Sequence, residues 1–283
     1  MRRRSRVAFS LLLLLIAAAC GSRGEAPLPS LIHAALESAP PDAPVIVLES
    51  NANFLWNETP SKRFPRFVLY GDGHVISLST DSPAYTYVTV SLTREEASTL
   101  LQSTTFSQLF DFADAHYVAS KGTDVGLLIL SLRREDGTYA RIEVRGWSDE
   151  FPSQPGPDFP PLAVYQAVQC MDRFRAPSAQ QWTPYEYELY SWPCGYGDEN
   201  ATSWPQEWPQ LPEREPVSGS RWNVTRLVGV DAGKVSSILG PSISTIARYV
   251  HSGGKKWCLT YRPVLPGEAH WLTGGLTAAS GAN

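Results

Sequence analysis

Apolar and polar residues alternate along this chain in short runs separated by turn residues. Tyr85 to Leu92 places Val88, Val90 and Leu92 on one face and Tyr87, Thr89 and Ser91 on the other, which predicts a half-buried strand. Val45 to Leu48 is a brief β-branched run. Phe67-Val68-Leu69-Tyr70 and His74-Val75-Ile76 flank Gly71-Asp72-Gly73, and residues 125–132 and 139–144 flank Asp136-Gly137; both read as hairpins on Asp-Gly turns. Thr93 with Glu96 three residues on forms a capping box ahead of Ala97, Leu100 and Leu101, a helix ending near Ser103. Pro160-Pro161 opens another helix, in which Leu162, Val164, Tyr165, Val168 and Met171 recur at helical spacing. Tyr185, Tyr187 and Leu189 then alternate with Glu186 and Glu188 in a strand.

Periodicity stops between Trp192 and Ser220, where Pro193, Pro205, Pro209, Pro212 and Pro216 read as an extended linker or a packed irregular loop. Beyond it, residues 222–228 predict a strand, residues 232–239 a short helix closed by Gly240-Pro241, and residues 243–250 and 256–261 strands around Ser252-Gly253-Gly254. The expected fold is α+β: antiparallel hairpins with packed helices in two small α+β units. The first unit spans 45–192, a Trp/Pro-rich linker 193–219, the smaller unit 220–265, and a Gly, Ala and Thr rich tail 266–283. Pro27, Pro29, Pro40, Pro41 and Pro44 make residues 20–44 a tether, with one helical stretch at 31–37.

The first 19 residues have a different logic. Arg2, Arg3, Arg4 and Arg6 precede an apolar stretch around Leu11 to Leu15, and Ala17, Ala18 and Ala19 follow it. The apolar segment from Val7 to Ala19 is shorter than the ~20 residues a membrane-spanning helix requires, so it reads as a signal peptide. Ala17-Ala18-Ala19-Cys20 resembles the lipobox of bacterial lipoproteins, although Ala17 stands where Leu is most common. The resemblance implies cleavage before Cys20, a diacylglycerol on its sulfur and an acylated amino group, which together hold a protein stably on a membrane. Gly21 rather than Asp after the cysteine implies the outer membrane if the envelope is Gram-negative. Residues 67–144, with their two Asp-Gly hairpins, the Thr93 helix and Thr123-Asp124 ahead of a strand, are similar to a domain of uncharacterised envelope lipoproteins. That likeness implies a small α+β module and no activity.

Composition narrows the functional classes. Losing Arg2, Arg3, Arg4 and Arg6 from the 24 basic residues leaves 20 against 28 acidic ones, a net charge of −8. With no basic run, a nucleic-acid partner is not expected. In an oxidising envelope two of Cys170, Cys194 and Cys258 are expected to pair. Cys170 with Cys194 is the favoured disulfide, closing a short loop and stabilising by roughly 3 kcal/mol; the alternative is three buried thiols, and Cys258 has no neighbouring His to activate it.

Candidate chemistry is sparse. Asp111, Asp114 and His116 lie close enough in sequence to seed a metal site or the centre of a hydrolase, or else to be a solvated helix end. Asp198-Glu199-Asn200 lacks the alternating oxygen ligands of a calcium loop, and Gly253-Gly254-Lys255-Lys256 lacks the spacing of a phosphate loop and reads as a hairpin turn. No Gly-x-Ser-x-Gly elbow occurs. Trp192, Trp204 and Trp208, each followed by Pro, either line a groove for a glycan or an extended peptide or pin the linker as core. The sequons at Asn57, Asn200 and Asn223 read as chance. The expectation is a lipid-anchored envelope protein of binding or scaffold type, without cofactor, with the membrane and an envelope protein or glycan as partners. The alternative is an envelope hydrolase built around Asp111, Asp114 and His116.

Overall fold

A computed structural model of the chain describes residues 31–52, 62–79, 86–102, 104–120, 125–147, 150–152, 155–193, 201–211, 223–240 and 248–268. The first part runs α1 (Leu31–Ser38), β1 (Pro44–Ala52), β2 (Lys62–Tyr70), β3 (His74–Leu78), β4 (Tyr87–Ser91), α2 (Arg94–Leu101), the single turn α3 (Thr104–Ser107), β5 (Ala115–Val118), β6 (Leu127–Arg133), β7 (Tyr139–Arg145), α4 (Leu162–Asp172) and β8 (Gln180–Gln181). Then follow β9 (Glu186–Pro193), β10 (Thr202–Ser203), β11 (Asn223–Val228), α5 (Ala232–Leu239), β12 (Arg248–Ser252) and β13 (Lys255–Val264). The fold is α+β, as the alternating and helical periods predict.

Two sheets carry it. An eight-stranded sheet has the order β5-β7-β6-β1-β2-β3-β4-β8, and a five-stranded sheet the order β10-β12-β13-β9-β11. All neighbours are antiparallel except β5 with β7 and β10 with β12. Both Asp-Gly hairpins form. Gly73 has φ 84° and its missing Cβ would lie 2.4 Å from the Leu92 carbonyl oxygen, so only glycine fits there. Thr93 and Glu96 make the reciprocal capping box: the Glu96 N–H donates to Thr93 Oγ1 and the Thr93 N–H to Glu96 Oε2 at 2.7 Å.

Burial follows the pleat. Leu128, Leu130 and Leu132 of β6, Ala140, Ile142 and Val144 of β7, and Ile46, Leu48, Phe67 and Leu69 from β1 and β2 face a helical layer that contributes Ile32, Leu36, Leu101, Phe106, Val164 and Val168. The opposite face of the same sheet is also covered. Val47, Val68, Tyr70, Ile76 and Tyr87 form a second cluster with Leu265, just past β13. Strand β1 is thus buried on both sides, which is why it reads as a continuous apolar run rather than an alternating one. The Tyr70 hydroxyl donates to the Pro266 carbonyl at 3.0 Å, a further tie between the end of β13 and the large sheet.

The outer face of the small sheet has its own core. Tyr187, Leu189, Leu227, Val250, Trp257, Leu259 and Tyr261 meet Val235 and Leu239 of α5 together with Trp204, Trp208 and Leu211. Strand β9, placed by its sequence position in the first unit, lies between β13 and β11 in the second sheet, so the division between the units falls between β8 and β9. Alternation identifies a strand, but the sheet it joins depends on pairing partners far along the chain. Residues 201–211 of the expected linker are packed: β10 pairs with β12, and the Trp204 N–H donates to the His251 carbonyl at 2.9 Å. Residues 266–268 of the expected tail are also packed, Glu268 being buried.

Two stability measurements follow. Thr93→Ala removes one side of the capping box and should lower unfolding free energy by about 1 kcal/mol in a urea titration. Trp204→Ala should cost about 3–5 kcal/mol, as expected of a core ring and not of a surface one.

Candidate functional site: a buried charge ladder between the sheets

Residues of even number on β9 and β13 turn away from the tryptophan core and toward the large sheet, because side chains alternate along a strand. Register then sets Arg262 of β13 opposite Glu188 of β9, and Glu188 opposite Arg226 of β11. The result is a cross-strand row of cation, anion, cation. Arg262 Nη2 lies 2.6 Å from Glu188 Oε2, to which its Nε also donates at 2.8 Å. The Tyr190 hydroxyl donates to the same carboxylate at 2.6 Å. Beyond β13 the turn through Leu265 brings Glu268 back onto Arg262 Nη1, while the Leu265 N–H donates to Glu268 Oε2 at 2.9 Å. Arg262 is 5% exposed and Glu268 4%, so the group is withdrawn from water. Glu49 of β1 and Tyr87 of β4 are buried on the facing sheet, where Arg262, Glu268 and Glu49 all act on the Tyr87 phenol.

One buried cation serves two carboxylates, and their ionisation separates accordingly. Burial opposes the charged form of Glu188, but the Arg262 charge, hydrogen bonds from Tyr190 and Arg262, and the Arg226 charge together hold it below the usual carboxylate range. Glu268 is pushed up, because burial outweighs its attraction to Arg262 and its bond from the Leu265 N–H. Burial would favour neutral Arg262, yet Glu268, Tyr190 and Glu188 overcome it and raise its pKa further. Burial, opposed by the Arg262 charge, lifts the Tyr190 phenol to about 12. The cluster therefore keeps a guanidinium charged in a dry interior and binds the turn after β13 to the strands.

The residues singled out in the sequence are dispersed. Asp111 lies in a 3-10 turn, Leu109–Phe112. Asp114, in the left-handed region at φ 59°, accepts from Arg134 at 2.6 Å and from the Arg141 N–H at 3.1 Å. His116 is 76% exposed in its side chain, with Nδ1 3.1 Å from Glu143. Asp114 and His116 thus serve separate partners, and no group of three metal-ligating side chains occurs among the described residues. Trp192, Trp204 and Trp208 are all buried, at 6%, 6% and 4% exposure. Trp204 and Trp208 meet edge to face at 5.0 Å, and Trp204 Nε1 donates to the Pro209 carbonyl at 3.1 Å, so these rings do not line an open groove. Gly253 and Gly254, with φ 57° and 73°, form the β12–β13 hairpin turn. Cys170 and Cys258 are both disulfide-bonded. Cys258 is therefore not the lone thiol expected beside a Cys170–Cys194 pair. Cys20, Cys194 and the Asp198-Glu199-Asn200 stretch lie outside the described residues. No described helix is long and apolar enough to cross a membrane.

No protein-family model matches the chain, and comparison with curated proteins and with solved structures finds no similar protein. The sequence does not disclose the charge ladder: Glu188 and Arg262 are 74 positions apart, and the local signal is limited to Glu186 and Glu188 alternating with apolar residues on β9.

Arg262→Ala should cost about 3–5 kcal/mol at neutral pH, because the buried Glu268 and the part-buried Glu188 lose their shared cation. The pH dependence has two opposed limbs. Stability from Glu188 is complete above pH 4.5, its ordinary value, and is lost as pH falls through its lowered folded value. Stability from Glu268 is complete below pH 4.5 and is lost as pH rises through its raised value. In urea titrations across pH 3 to 8, Glu188→Gln should therefore flatten the acid limb and Glu268→Gln the limb above it.

Proposed function

We propose that this chain is a lipid-anchored protein of the bacterial envelope that acts as a binding or scaffold module rather than as a catalyst. The observation that carries the binding reading is the placement of its strongest polar group: Arg262, Glu188, Glu268 and Tyr190 bond to one another between two sheets, which suits rigidity more than turnover. The exposed Asp114 and His116, paired separately to Arg134 and Glu143, add no competing centre. The address is supported by the basic and apolar leader and by Ala17-Ala18-Ala19-Cys20; disulfide bonding of Cys170 and of Cys258 fits an oxidising compartment without adding support for the lipid.

The anchor and the disulfides constrain each other. A thioether and a disulfide at Cys20 are mutually exclusive. An acylated chain thus has only Cys170, Cys194 and Cys258 for pairing, giving at most one intramolecular disulfide and leaving one thiol.

The test is the intact mass of the protein extracted from native membranes, with thiols alkylated before and after reduction. The expected result is a chain beginning at Cys20 and carrying acyl groups, with one thiol alkylated before reduction and three after. An unacylated chain with no reactive thiol before reduction would overturn the anchor.

A further inference from the structure

We draw no further inference here: the strongest candidate, the exposed apolar patch of Tyr185, Val224 and Val228 at the terminal strand β11, carries nothing, because nothing in the structure shows what covers it and the Arg226 guanidinium on the same strand is already paired with Glu186 at 3.0 Å.

Discussion

Arg262 is the residue on which the arrangement of the two sheets depends. A guanidinium cannot shed its proton in a protein, so a chain that buries one must surround it with acceptors. Here those acceptors come from two places, Glu188 on the neighbouring strand and Glu268 on the turn that follows β13. Holding Glu268 fixes the turn, and the turn places Leu265 among Val47, Val68, Tyr70, Ile76 and Tyr87 of the large sheet. The small sheet is therefore attached by an ionic cluster and an apolar one side by side. Replacing a buried ion pair with apolar groups is often no less stable, which makes specificity of register the better reason for its presence.

The two faces of the small sheet divide the work of packing. Odd-numbered residues of β9 and β13 meet the tryptophans of the Pro-rich segment and the short α5, giving that sheet a core of its own. Even-numbered residues carry the charge ladder. The ladder does not stop at the interior: it runs outward through Glu188 to Arg226, whose guanidinium also pairs with Glu186 at 3.0 Å.

Much of this was legible one element at a time. The Asp-Gly hairpins, the Thr93 capping box and the helix from Leu162 depend on residues within a few positions of one another, and local chemistry decides them. The candidate sites fared differently. Asp111, Asp114 and His116 are close in sequence, but the left-handed Asp114 turns toward Arg134 while His116 sits on β5 beside Glu143. Proximity along the chain did not converge their side chains.

The sequence by itself determined the class of the fold and most of the described turns, since each is written in neighbouring residues. Tertiary structure alone decided that β9 crosses into the second sheet, that Trp204 and Trp208 are core, and that Glu188, Arg262 and Glu268 meet. Those outcomes rest on strand register between segments up to 80 positions apart, as Glu188 and Glu268 are. A period of two residues says which face a side chain takes but not which strand lies beside it. Only the pairing of distant strands supplies that, and with it the row of charges that ends at Arg226.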